Sequence, residues 1–153
     1  MSAPPVDLYE TMGLERIVSV APEGRALLEY RATPAQCHSG GVVQGGFVTG
    51  WIDAAMAHAV MAVPGLDAVP MTLEIKVSFF APTRPGLVVA EAWVVQGGRR
   101  TAFVEGTLKD NAGSLLAKAS STITLASRAK VEAAAKAALT GQASGGAVRS
   151  ARR

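Results

Sequence analysis

From Met71 to Phe79 apolar and polar residues alternate without interruption: Met71, Leu73, Ile75, Val77 and Phe79 on one parity, Thr72, Glu74, Lys76 and Ser78 on the other. A period of two belongs to an extended strand with one covered face. The same reading gives strands at 87–95 and 99–110 around the turn Gln96-Gly97-Gly98, and a third at 114–126 beyond the turn Asp110-Asn111-Ala112-Gly113. Upstream, 14–20 and 25–32 read as a hairpin around Pro22-Glu23-Gly24. Between the two groups the alternation is lost. Residues 47–63 are rich in Ala and Met, apolar nearly all round, and halted by Pro64-Gly65. That pattern predicts one long helix, central and buried.

The remaining segments are shorter or weaker. Residues 5–13 predict a short helix ended by Gly13, and 33–46 are turn-rich, with Pro34 and four glycines. Residues 127–140 are helix-prone, whereas 141–153 form a Gly/Ser/Ala/Arg tail with too few large side chains to pack. The string Val-Val-Gln-Gly-Gly occurs at 42–46 and again at 94–98, but a helical pattern follows one copy and an alternating pattern the other. It is not a repeat. The order is two strands, a helix, then four strands, which predicts an α+β domain: one curved antiparallel sheet of about six strands around the helix. The sheet covers only one flank of that helix, and a second copy of the chain is the cheapest cover for the other.

Composition narrows the possibilities. The 153 residues suit one domain, spanning 1–126 with the short helix at its start. Aromatic residues are only 5% of the chain, so the core is built from small side chains. The net charge of +3 comes from Arg149, Arg152 and Arg153 in the tail, and without them it is close to zero. No basic face suited to nucleic acid is expected. The lone Cys37 excludes an internal disulfide and any multi-cysteine metal site, and fits a reducing cytoplasm. The start of the chain lacks the basic and apolar regions of a secretory signal. The longest apolar run carries Asp53 and His58 and is short for a membrane span.

Candidate chemistry collects around the helix. Gly45 and Gly46 fall at its first turn, where N–H groups lack intrahelical partners and could receive a carbonyl oxygen gaining negative charge; a plain loop-to-helix turn is the alternative. Asp53 is the sole charge in the apolar helix, as a general base, a nucleophile or a structurally bonded carboxylate. It lies seven residues beyond Gly46, about 10 Å along the axis. A base and a donor serving one carbonyl must each come within about 3–3.5 Å of their targets, so one helix cannot easily supply both. Two antiparallel copies can, which puts a functional pair at a dimer interface. His38 either bonds substrate, water or Asp53, or is a solvated loop side chain. His58 is expected in the core with a bonded nitrogen, and Cys37 beside His38 makes a poor nucleophile pair. Arg84, Arg99 and Arg100 are loop cations able to meet phosphates, with plain solvation as the alternative. No spaced metal ligands and no Gly-x-Ser-x-Gly, Walker or Gly-x-Gly-x-x-Gly string occur.

The string GVVQGGFVTGWIDAAMAHAV resembles the helix signature of hotdog-fold acyl-CoA thioesterases of the phenylacetyl-CoA/4-hydroxybenzoyl-CoA type, the PaaI-like group. MTLEIKVSFFAPTRPG, AEAWVVQGGRRTAFVEGTLKD and GSLLAKASSTI resemble the later strands of that family, so the likeness covers about residues 14–126. It implies a hotdog fold, a homodimer with a continuous sheet, commonly a homotetramer, and active sites at each dimer interface. It implies hydrolysis of an aryl- or medium-chain acyl-CoA to free acid and CoA, without cofactor or metal. Asp53 matches the catalytic acid, Gly45 the glycine whose N–H polarises the carbonyl, with Gly46 beside it. His38 falls where relatives carry an asparagine, Thr72 near a Ser/Thr that assists the acid, and Arg84, Arg99 and Arg100 on the path of CoA. Gln44 replaces the usual histidine of His-Gly-Gly; it can donate a hydrogen bond but cannot become cationic. A hotdog protein that binds acyl-CoA without turning it over is the alternative. Trp51, Met56, Phe79 and Phe80 are candidates to shape an acyl pocket.

Overall fold

The computed structural model describes residues 7–63, 65 and 67–141. A short helix α1 (Leu8–Met12), capped by the Asp7 side chain on the Tyr9 N–H at 3.0 Å, leads into a hairpin of β1 (Leu14–Ala21) and β2 (Arg25–Ala32). A 3-10 turn at Pro34–Gln36 and a separate two-residue hairpin, β3 (Cys37–His38) with β4 (Val42–Val43), precede the long helix α2 (Gly45–Met61). Then come β5 (Ala68–Phe79), β6 (Gly86–Gly97), β7 (Thr101–Asp110), β8 (Leu115–Ser127) and the helix α3 (Arg128–Gly141). The major strands form one six-stranded antiparallel sheet in the order β1-β2-β6-β7-β8-β5, which leaves β1 and β5 as edges.

Helix α2 lies across one face of this sheet. Its covered positions, Val48, Trp51, Ile52, Ala55, Met56, Ala59 and Val60, recur at the three- and four-residue spacing of one helical stripe. They meet β2 and β6 through residues such as Leu28, Tyr30, Ala90 and Ala92. The small facing residues set the approach distance. A Cβ on Gly106 would stand 2.8 Å from Ile52 Cγ2 and 3.0 Å from the Glu91 carbonyl oxygen. The low aromatic content thus shows in space as a helix seated very close to its sheet.

Three expectations require correction. The helix begins at Gly45 rather than 47, because the Gln44 side chain supplies a cap, and it ends at Met61; Pro64 lies outside the described residues. It is not buried all round: Asp53, Ala54, Ala57 and His58 are only half-covered. His58 therefore sits on the face away from the sheet, its Nδ1 donating to the Ala54 carbonyl at 2.8 Å with Tyr9 of α1 nearby. Helix α1 covers part of that outer face, and its Met12 carbonyl accepts the Trp51 indole N–H at 2.8 Å.

The alternation in β5 also breaks. Thr72 pairs with Ile123 and Glu74 with Thr122, so Leu73 is an extra residue with no partner on β8. One extra residue reverses the parity on either side of it. Thr72 therefore faces α2 along with Ile75 and Val77, while Met71 and Leu73 are 50% and 65% exposed.

Candidate active site beside the β5 edge

The geometry of the α2 start follows from Gln44. Its backbone is extended (φ −62°, ψ 134°), and its Oε1 accepts the Gly46 N–H at 2.6 Å. The Gln44 N–H is in turn held by the Gln36 carbonyl at 2.9 Å, and the Phe47 N–H bonds the Gln44 carbonyl. A Cβ on Gly46 would fall 2.6 Å from Gln44 Oε1, so only glycine admits this cap. With Oε1 fixed as acceptor, the carboxamide nitrogen is left as donor. The Gly46 N–H is consumed inside the helix start and is not free for a ligand. Gly45 packs against the Phe79 ring, where a Cβ would come within 3.2 Å of Cζ. Its own N–H has no backbone acceptor among the described residues.

A cavity of about 430 Å³ opens in front of Gly45, lined among others by His38, Val43, Phe79, Phe80 and Pro82. His38 Nδ1 lies 2.8 Å from the Ser39 carbonyl oxygen, which can only accept, so this nitrogen carries the proton and Nε2 is left to accept. Cys37 turns instead to the Thr33 carbonyl, so the two neighbours are not a pair. Thr83, which is buried, receives the Val43 N–H at 2.9 Å on its carbonyl and fixes the far wall. Neither Thr83 nor Gln36 stands out in the sequence, since each acts through backbone contacts that leave no periodic trace. Trp51 and Met56 do not reach this cavity. Both are fully buried against the sheet, Trp51 stacked on Tyr30, so of the four proposed pocket residues only Phe79 and Phe80 line it.

Asp53 forms a second centre. It projects half-covered from α2, and the Thr72 hydroxyl donates to its Oδ1 at 2.7 Å, while Oδ2 has no hydrogen-bond partner among the described residues. Eight residues separate Asp53 from Gly45, about 12 Å of helix. Asp53 and Thr72 therefore come together, and Gly45, Gln44 and His38 come together, but in one chain the two groups do not meet. His38 and Asp53 are not in contact.

The arginines also separate. Arg84 donates to the Gly40 and Gly41 carbonyls at 3.2 and 3.4 Å and braces that turn. Arg99 and Arg100 stand exposed at the β6–β7 turn, near the opposite end of β5. The twelve residues of β5 span roughly 35 Å, so Arg84 and the pair cannot serve one small ligand within a chain. Among the described residues no three His, Cys, Asp or Glu side chains gather into a group able to hold a metal ion, and no helix is long and apolar enough to cross a membrane.

A six-stranded antiparallel sheet carrying one long helix on one face is the hotdog fold. Residues 40–117 match the thioesterase superfamily, and the chain belongs to that family, in its PaaI-like group. A solved structure from Ralstonia eutropha JMP134, assigned as a thioesterase and related to phenylacetic acid degradation, is 32% identical. That likeness covers 80% of this chain and 92% of the other at a TM-score of 0.72. A point mutant of the phenylacetic acid degradation protein PaaI from Thermus thermophilus is 26% identical, covering 76% and 96%, at a TM-score of 0.67. A Saccharolobus solfataricus protein assigned as an esterase is 28% identical over 118 residues, 76% of this chain and 75% of that protein.

Proposed function

We propose that this chain hydrolyses an aryl- or medium-chain acyl-CoA to the free acid and CoA, in active sites shared between two copies. The observation that carries this reading is the Thr72–Asp53 hydrogen bond, which aims a half-covered carboxylate along the open edge of β5. Thr72 and Phe79 mark the two half-sites on that strand, and their midpoint lies between Ile75 and Lys76. A two-fold axis there pairs β5 with its partner's β5 antiparallel and sets each Asp53 opposite the other copy's Gly45. The pairing also covers a long edge strand that would otherwise invite uncontrolled association.

In this arrangement Asp53 Oδ2 either takes a proton from water attacking the thioester carbon and passes it to the departing thiolate, or attacks that carbon itself to form an acyl–Asp53 anhydride, which water then hydrolyses to the free acid and restored Asp53. Thr72 holds the carboxylate by its other oxygen. Negative charge building on the carbonyl oxygen is received by the Gly45 N–H of the opposite copy, together with the Gln44 carboxamide N–H. The C–S bond then breaks, and CoA leaves as the thiol once it has gained a proton. His38 Nε2 and the Phe79–Phe80 wall meet the water and the acyl group. A homodimer or homotetramer in the cytoplasm suits the lone Cys37.

Free thiol released from a panel of aryl- and fatty acyl-CoA esters tests the reading. Asp53→Asn should lower turnover by roughly a hundredfold or more. Gln44 favours one rival: an amide that caps the helix and cannot become cationic suits a protein that binds acyl-CoA without turning it over. Saturable CoA-ester binding with no thiol release from any ester would establish that rival.

A further inference from the structure

We infer that Glu74 and Lys76 form two reciprocal ion pairs across the two-fold axis and fix the register in which β5 meets its partner's β5. This rests on the shared-site reading above and adds to it the residues that align the copies. Of the two edge strands, β1 is broken by register shifts at Leu14/Arg16 and Ile17/Ser19, which blunts it for pairing. Strand β5 has one shift, between Thr72 and Glu74, and runs regularly from Glu74 to Phe79. Within that stretch Ile75 and Val77 pack against the core. Glu74 and Lys76, opposite Thr122 and Ser120, stand exposed on the other face.

Both charges are unmatched within the chain. Glu74 and Lys76 enter no ion pair among the described residues, and the Glu74 carboxylate receives only the Thr122 hydroxyl, on Oε1 at 3.0 Å. Lys118 on the next strand is already matched by Glu105 at 3.1 Å. Directly opposite residues of an antiparallel pair point to the same face, so the axis falls at the level of one residue. The midpoint of the two half-sites leaves Ile75 and Lys76 as candidates. An axis at Lys76 sets that lysine against its own copy, and like charges directly opposite destabilise a sheet. An axis at Ile75 sets Glu74 opposite Lys76 of the partner subunit, twice over, with Ile75 against its copy on the covered face. The two alignments differ by a slide of two residues, about 7 Å. Such a slide would carry the opposing Gly45 the same distance relative to Asp53, so the charges also set the geometry of the shared site.

Charge reversal tests the register without requiring turnover. Glu74→Lys, Lys76→Glu and the double exchange are compared with wild type by dimer dissociation constants from sedimentation of diluted samples. Each single change turns both attractive pairs into repulsive ones and should raise the constant about tenfold or more at low salt. The double exchange restores opposite charges at both places and should recover most of that loss. Co-expression of the two single variants, one of them tagged, reads the same pairing even where dimers are too tight to dilute apart. Only the mixed dimer then opposes unlike charges, so mixed dimers should far exceed the statistical share of about half. An unchanged constant in Glu74→Lys, no recovery in the double exchange, mixed dimers at the statistical share, or a wild-type chain that stays monomeric would overturn the inference. Failure of the thioesterase reading has another signature: dimer pairing still follows the charges, but no ester releases thiol.

Discussion

Thr72 reaches Asp53 only because Leu73 is out of step with β8, and the value of that contact lies in the oxygen it leaves free. A hydrogen bond to a charged group contributes about 1.5–3 kcal/mol, so Thr72→Val should reduce kcat about tenfold or more. Thr72→Ser keeps the hydroxyl and should recover most of the loss, which a merely structural threonine would not predict. Gln44 caps the start of α2, and the proposed mechanism gives it a second role as a donor to the carbonyl. Gln44→Ala removes the cap on the Gly46 N–H and should cost about 0.5–2 kcal/mol in a denaturant titration. Tyr30 gives a pH signature remote from the site. Its ring is fully buried against Trp51, its hydroxyl has no partner among the described residues, and burial pushes its ionisation well above that of ordinary tyrosine. Above about pH 10 the unfolded chain loses this proton first, so it binds fewer protons than the native state and stability falls as pH rises. Tyr30→Phe should abolish that alkaline slope and stabilise the protein at neutral pH by about 1 kcal/mol. Melting curves at pH 7 and pH 10.5 check both statements.

At the level of elements, the close seating of α2 on the sheet depends on residues with little or no side chain. Gly106→Ala would push a methyl to 2.8 Å from Ile52 Cγ2 and 3.0 Å from a backbone carbonyl, and the carbonyl cannot yield as a side chain can. Overpacking of this kind costs about 1–3 kcal/mol, and the displaced helix would carry Asp53 with it. Both stability and turnover should fall, measured by thermal melting and thiol release. This scale also shows what the sequence could disclose. Period and turn residues located all six long strands and α2, because a strand with one covered face and a helix with one covered stripe each write their spacing into the chain. The β5 bulge left no such mark: Met71 to Phe79 alternates perfectly, yet the face changes at Leu73. Asp53 and Gly45 were legible as an isolated charge and a helix start. The capture of the Gly46 N–H by Gln44, the bracing role of Arg84 and the burial of Trp51 depend on contacts between segments, which no local pattern encodes.

Under the proposed mechanism one chain cannot complete a site, because Gly45 and Asp53 stand about 12 Å apart on one helix. Two copies related by the proposed two-fold axis near Ile75 and Lys76 would complete it, and each site would then draw residues from both copies. This can be read without a structure of the pair. Gly45→Val presses its side chain into Phe79 and blocks the carbonyl donor, and Asp53→Asn removes the acid, so each homodimer should be nearly inactive. In a mixed dimer one site combines both lesions, while the other combines an intact Asp53 with an intact Gly45 from the opposite copy. Equal co-expression yields about half mixed dimers, each with one working site, and hence about a quarter of wild-type activity by the symmetry of the assembly. If each chain carried a complete site, no combination of the two variants would restore activity. Recovery to about a quarter, accompanied by a dimeric or larger mass in light scattering, therefore separates a shared site from an autonomous one. Activity confined to the few-percent background of the two parents would place the reacting carbonyl within a single chain and end the shared-site mechanism.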